Sequence, residues 1–220
     1  MRRMIGALIA LLALWAMTGT AAAESWTGSI HGGASLPSGD YASVDKGDAS
    51  TGWAIGGALD YGWKENLAIG FDGSWGQNTR GTDGQVTILG AGATSTVDQD
   101  EFKTWEIGGH AQYFFPVASS MPVKWYGLMG AGLYGFDQNQ TVTVASGGTS
   151  TTTSFKGTDK RAGMRLGLGG LWWANPKVGV HAGVDYNIAF MDKDSSPYSS
   201  LSYMGAHVGL TFSIPSNAHQ

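Results

Sequence analysis

Residues 178–190 read Val-Gly-Val-His-Ala-Gly-Val-Asp-Tyr-Asn-Ile-Ala-Phe. Every even position is apolar: Val178, Val180, Ala182, Val184, Tyr186, Ile188 and Phe190. Every odd position is small or polar: Gly179, His181, Gly183, Asp185, Asn187 and Ala189. Successive side chains of a β-strand point to opposite faces, so a period of two over the whole stretch means a strand whose faces meet different solvents. In a water-soluble sandwich the apolar face would turn towards a core. Here the pattern recurs about eight times, which points to the inverse: a barrel with apolar side chains on lipid and polar ones around a lumen.

The ends of the chain set the context. Arg2 and Arg3 form a positive segment, Ile5 to Met17 an apolar run, and Ala21-Ala22-Ala23 a small-residue cleavage site. These are the parts of a secretory signal peptide, expected to be cut after Ala23. The run is short for a transmembrane helix, which needs about 20 apolar residues. The expected division is residues 1–23 as signal peptide, 24–214 as barrel and 215–220 as a C-terminal tail. No later segment is apolar for long enough to cross a membrane as a helix, so further crossings would be by strands.

Composition narrows the function. Without Arg2 and Arg3, 11 Lys and Arg stand against 17 Asp and Glu, a formal charge of −6. That leaves no basic patch for nucleic acid. Cysteine is absent, so disulfides play no part. A mean hydropathy of −0.09 suits a chain in which only alternate residues face lipid. The 35 glycines suit a narrow barrel, where inward side chains crowd and strands bend. The aromatics suit the two interfacial girdles of such a barrel.

The alternation predicts strands at 25–35, 51–63, 67–75, 102–115, 123–137, 161–173, 178–190 and 200–214. The connections 36–50, 77–101, 138–160 and 191–199 are long or variable, and 64–66, 116–122 and 174–177 are short. Both termini then share one side with the short turns, the usual outer-membrane arrangement. The barrel is expected to close between the strand near Ile30 and the strand near Leu210. Runs at 85–88 and 94–97, and at 141–144 and 151–154, flank glycine turns and predict hairpins that continue above the membrane. The strand at 123–137 is ambiguous. Trp125, Met129, Ala131 and Leu133 give one apolar face; Tyr126, Leu128, Tyr134 and Phe136 give the other. Its orientation stays open, with a bulge as one way to switch register.

The stretch Ile30-His31-Gly32-Gly33-Ala34-Ser35-Leu36-Pro37-Ser38-Gly39-Asp40 is similar to openings in the outer-membrane β-barrel superfamily. The last strand, through His207, Gly209, Phe212 and Ile214, resembles the assembly signal of such proteins, although a tail, Pro215 to Gln220, follows it here. On these residues the chain resembles the small eight-stranded outer-membrane barrels of Gram-negative bacteria, the group of outer membrane proteins A (its transmembrane domain), X and W. The resemblance implies an all-β, eight-stranded antiparallel up-and-down transmembrane barrel after a cleaved signal peptide. It also implies a place in the outer membrane among its lipids, and partnership with the barrel-assembly machinery through Gly209, Phe212 and Ile214. One fold hosts many functions, so activity must be argued from the site.

Parity places Asp60, Asp72, Glu106, Arg165 and Asp185 inside the barrel, with His31, His110, His181 and His207. Arg165 and Glu106 lie at similar distances from the short-turn ends of their strands. An eight-stranded barrel is filled by side chains, and buried charges must pair. Arg165, Glu106, Asp72 and Asp185 are therefore expected as a salt-bridged plug, or else as a charge gate over a narrow pore. His31 and His207 sit on the two closing strands and are expected near each other. No cysteine or fixed-spacing ligand set is present, so neither a metal nor another cofactor is expected. A nucleophile would need a histidine at the rim or on the lipid face. The strand histidines face the lumen, and Asp192 and Asp194 at the outer rim have no histidine nearby in sequence, so no enzyme is expected. The expected function is that of a non-enzymatic barrel serving envelope structure or surface interaction, with an extracellular ligand or surface engaged through 77–101 and 138–160. The alternative is a narrow, porin-like channel for small solutes.

Overall fold

The computed structural model describes residues 21–43, 48–80, 85–90, 92–116, 122–191 and 200–214. Among them are nine strands: β1 (Ala21–Ser38), β2 (Gly52–Lys64), β3 (Leu67–Thr79), β4 (Val86–Gly90), β5 (Ala93–Phe114), β6 (Val123–Ser146), β7 (Thr149–Asn175), β8 (Val178–Phe190) and β9 (Ser200–Ile214). The longest helical element among the described residues is a three-residue 3-10 turn, Gly39–Tyr41. The proposed leader up to residue 20, the 117–121 part of the 116–122 connection, residues 192–199 with Asp192 and Asp194, and the tail 215–220 lie outside the described residues.

Eight strands form a closed antiparallel ring in the order β1-β2-β3-β5-β6-β7-β8-β9, with β1 pairing back onto β9. Closure sets Ile30 opposite Leu210, as the alternation predicts. The strands β8 and β9 have the expected bounds. Alternation runs the length of β8; in β9 it holds from Met204 on, while Leu201 and Tyr203 turn apolar side chains into the core. β1 is longer than expected. It runs through Pro37 to Ser38, where a loop was predicted. Past Ser35 it has left β2 and pairs with β9 alone, an edge position where a residue without an N–H is tolerated.

The outward face carries a belt of exposed apolar side chains, among them Ile30, Leu59, Phe71, Ile107, Leu168 and Val208, with Phe71 at 75% exposure. Trp26, Trp53, Trp63, Trp125 and Trp172 are also exposed on this face. In water such a belt would be a large aggregating patch; in a bilayer it is the contact surface.

The ambiguity of the fifth ring strand, β6, is resolved without a bulge. Its register with β7 is unbroken from Val123 to Ser146. Tyr126, Tyr134 and Phe136 are buried and face inward, and Trp125 and Leu133 are exposed on lipid. Both faces read as apolar because the lumen is itself aromatic along this strand. The irregularity of this region lies instead in β5, between Asp98 and Glu101.

Beyond the ring, β4, β5, β6 and β7 continue as a four-stranded antiparallel sheet. This realises both predicted hairpins. Gly147 and Gly148, at φ 57° and 82°, turn the longer one; both angles demand a left-handed backbone, which glycine adopts freely. Hydroxyl pairs stitch it together, Thr143 to Thr152 at 3.1 Å and Thr141 to Ser154 at 3.3 Å.

Candidate functional site: the barrel lumen

Alternation along eight strands sends one set of side chains into a shared interior, which divides into three layers. The layer nearest the hairpins is a hydrophobic core made of Tyr41, Ala49, Phe102, Tyr134, Phe136, Ala189, Leu201 and Tyr203. Tyr41 reaches it from the 3-10 turn after β1 and is fully buried. Its ring meets Phe102 edge-on at 5.2 Å and Phe136 at 6.4 Å. Asn78 anchors the turn: its amide donates to the carbonyls of Ser35 (3.2 Å) and Ser50 (2.9 Å). Its side-chain oxygen accepts from the hydroxyls of Ser35 (3.2 Å) and Tyr41 (3.4 Å). With four partners, this fully buried amide carries no desolvation penalty left unmatched.

The middle layer is charged. Arg165 Nη1 lies 2.6 Å from Asp72 Oδ2 and 2.9 Å from Glu106 Oε1. Tyr203 donates its hydroxyl to the other oxygen of Glu106 at 3.1 Å. His110 bridges two carboxylates, Nε2 to Asp60 at 2.6 Å and Nδ1 to Asp72 at 2.8 Å. Both ring nitrogens thus face acceptors, the geometry of an imidazolium. Asp72, Glu106, His110 and Arg165 are all buried, and each charge has an opposite partner. Asp185 stands apart from Arg165 and faces His207 Nδ1 at 3.5 Å.

The third layer is a polar cavity of about 440 Å³. It ends inward at Asp72, His110 and Arg165, and extends to the short-turn end past Ser29, Lys64 and Lys124. His31, His181, His207 and Asp185 line its wall. His31 and His207 are neighbours, with ring centroids 5.0 Å apart. Of the proposed assembly residues, Phe212 and Ile214 are exposed on the outward face, and Gly209 lies in the wall opposite both His31 and His181.

Parity located the charged residues of the middle layer and Asp185 but neither linked them nor found Lys64 and Lys124 at the cavity's short-turn end. The bridging role of His110, the hydroxyl of Tyr203 on Glu106 and the aromatic layer around Tyr41 escape sequence reasoning. Tyr203 carries the inward parity of its strand, and that was the available signal; Tyr134 lies on the strand whose orientation the alternation leaves open. Tyr41 lies outside any strand and gives none.

The model of the outer membrane protein beta-barrel domain family matches residues 7–214 of the chain. Among solved structures, neisserial surface protein A is similar with a TM-score of 0.51 at 16% identity, covering 85% of this chain and 96% of that one. The outer membrane protein OprG of Pseudomonas aeruginosa is similar with a TM-score of 0.50 at 12% identity, covering 88% and 98%. At these identities the likeness is one of fold. No curated protein matches the chain.

Proposed function

The chain belongs to the outer membrane protein β-barrel domain family, and on that premise we propose that it is a non-enzymatic outer-membrane barrel whose lumen is closed and whose hairpin sheet serves surface interaction. One observation carries this: the lumen is packed with aromatic side chains at the hairpin end, while a four-stranded sheet rises beyond it. A passive channel needs a continuous wet path. Here the polar cavity runs only as far as the Arg165 cluster, and the buried rings of Tyr41, Phe102, Tyr134 and Phe136 occupy the space beyond. The short turns then face the periplasm and the hairpins face the exterior. The sheet suits a partner, since residues 149–161 of β7 pair only with β6 among the described residues and present an exposed strand edge. An extended segment can add to such an edge through main-chain hydrogen bonds.

Single-channel recording of refolded protein in planar bilayers tests the closed lumen. Wild type is expected to give no discrete conductance steps. Reproducible openings in wild type would favour the narrow solute channel and overturn the proposal.

A further inference from the structure

We propose that the free edge of β7 over residues 149–155 pairs with the same edge of a second copy of this chain, joining two barrels tip to tip across facing membranes. The pairing rests on the hairpin sheet serving surface interaction, and the second copy is its partner. β7 pairs with β6 along the whole hairpin but meets β8 only from Gly163 on. Among the described residues, no strand covers the other side of 149–161, so the backbone N–H and C=O groups on that side face no ladder partner. At about 3.4 Å per residue this edge is on the order of 40 Å long. The opposite edge of the sheet, β4, spans five residues and carries a register shift between Ile88 and Gly90.

The edge has none of the features that keep strand edges apart. Residues 149–155 read Thr-Ser-Thr-Thr-Thr-Ser-Phe, and all are exposed. Proteins blunt such edges with lysine, proline or a bulge. Here the first charge is Lys156, proline is absent, and the register with β6 is unbroken. A seven-residue segment of high β-propensity, without charge, proline or glycine, pairs readily with copies of itself.

Side-chain chemistry selects a second copy as the occupant. On the β6 side, hydroxyl pairs already bind this segment, Thr143 to Thr152 at 3.1 Å and Thr141 to Ser154 at 3.3 Å. The free side offers the same chemistry to itself. A two-fold axis normal to the sheet at Thr152 sets Thr152 opposite its counterpart, Thr151 opposite Thr153, Ser150 opposite Ser154 and Thr149 opposite Phe155. Opposed residues of an antiparallel pair share a face, where threonine and serine hydroxyls bond across the strands. Phe155, 56% exposed, gains a neighbour. Lys156, Asp159 and Lys160 lie beyond the overlap, so no like charges meet. An axis at Lys156 would set two lysines face to face, which excludes that register. The two-fold makes the edges antiparallel and puts the two barrels at opposite ends of the joint sheet, so their membranes face each other.

Refolded full-length protein is placed in two populations of lipid vesicles carrying donor and acceptor dyes, and in detergent micelles for sedimentation at rising concentration. The vesicles should cluster, and the micellar protein should form two-chain particles. The chain has no cysteine, so Thr152→Cys supplies a single thiol; an oxidant should link two chains there and not at Thr158→Cys. Thr151→Lys with Thr153→Lys sets like charges opposite each other and should weaken association about tenfold or more. Thr87→Lys, on β4, should leave it unchanged. Heat-modifiable gel mobility verifies folding. A synthetic peptide of the 149–155 sequence should disperse wild-type pairs, which keeps the test open if the lysine variant does not fold. Wild-type barrels that stay apart in both media overturn the proposal. So does association that the lysine variant and the peptide both leave intact, or equal cross-linking at 152 and 158. Amide exchange over 149–155 separates this failure from that of the surface reading. Slower exchange with an unrelated threonine–valine peptide, in barrels that stay apart, overturns the second copy alone. Exchange that responds neither to concentration nor to that peptide overturns both.

Discussion

Replacing Arg165 tests the packing of the lumen most sharply, because one guanidinium serves two buried carboxylates, Asp72 at 2.6 Å and Glu106 at 2.9 Å. Arg165→Met keeps most of the side-chain volume and removes the charge. The two acids do not suffer equally. Asp72 keeps His110, 2.8 Å away. Among the described residues, Glu106 keeps the neutral hydroxyl of Tyr203 and no cation. Breaking a buried pair by removing one partner destabilises by about 3–5 kcal/mol. With a single orphaned carboxylate, the expected loss lies at the low end, about 3 kcal/mol. The double variant Arg165→Met with Glu106→Gln removes the orphan charge and should recover much of that loss, a coupling that a double-mutant cycle isolates. Urea unfolding of barrels refolded into lipid vesicles, followed by tryptophan fluorescence and gel mobility, measures both. A single variant within about 0.5 kcal/mol of wild type, the range of ordinary surface substitutions, refutes the buried network. So does a double variant no more stable than the single one.

The belt predicts that Leu168→Arg, at a side chain 60% exposed on the outer wall, costs about 2–4 kcal/mol near mid-bilayer in the same unfolding assay; a neutral effect would place Leu168 outside the membrane. Changing Gly147 and Gly148 together to valine should cost about 1–2 kcal/mol per residue, because both angles are left-handed. The loss should be local: amides of 142–153 exchange faster while the barrel's unfolding midpoint holds, and equal protection in the variant would contradict the turn geometry. Trypsin added to intact cells should cut at the exposed Lys156 or Lys160 and spare Lys64 and Lys177; cleavage at the latter pair would invert the orientation.

Legibility followed local periodicity. In β8, and in β9 from Met204 on, each residue's face is dictated by the alternation, so orientation could be read directly. The hairpins at 86–97 and 141–154 were legible for the same reason, helped by glycines at their turns. In β6 a signal based on contrast disappeared, since aromatic rings lie on both faces. β1 was read short because Pro37 looks like a strand breaker, and only the loss of β2 as a neighbour makes it acceptable there. The site split the same way. That Arg165, Glu106, Asp72 and Asp185 face inward is a matter of parity. That Arg165 holds Glu106 and Asp72 while Asp185 turns to His207 depends on register between strands far apart in the chain.

By itself the sequence determined a barrel, its strand number, its closing pair and the face of nearly every strand residue. These follow from a two-residue period acting under one constraint: backbone groups in lipid must all be paired, which a closed sheet achieves. Only the tertiary structure decided what fills the interior. The aromatic layer under Tyr41, the double bridge of His110 and the neighbouring rings of His31, His181 and His207 are contacts between side chains of different elements. They are set by how strands stagger when the sheet closes, a global quantity that no local stretch of sequence encodes.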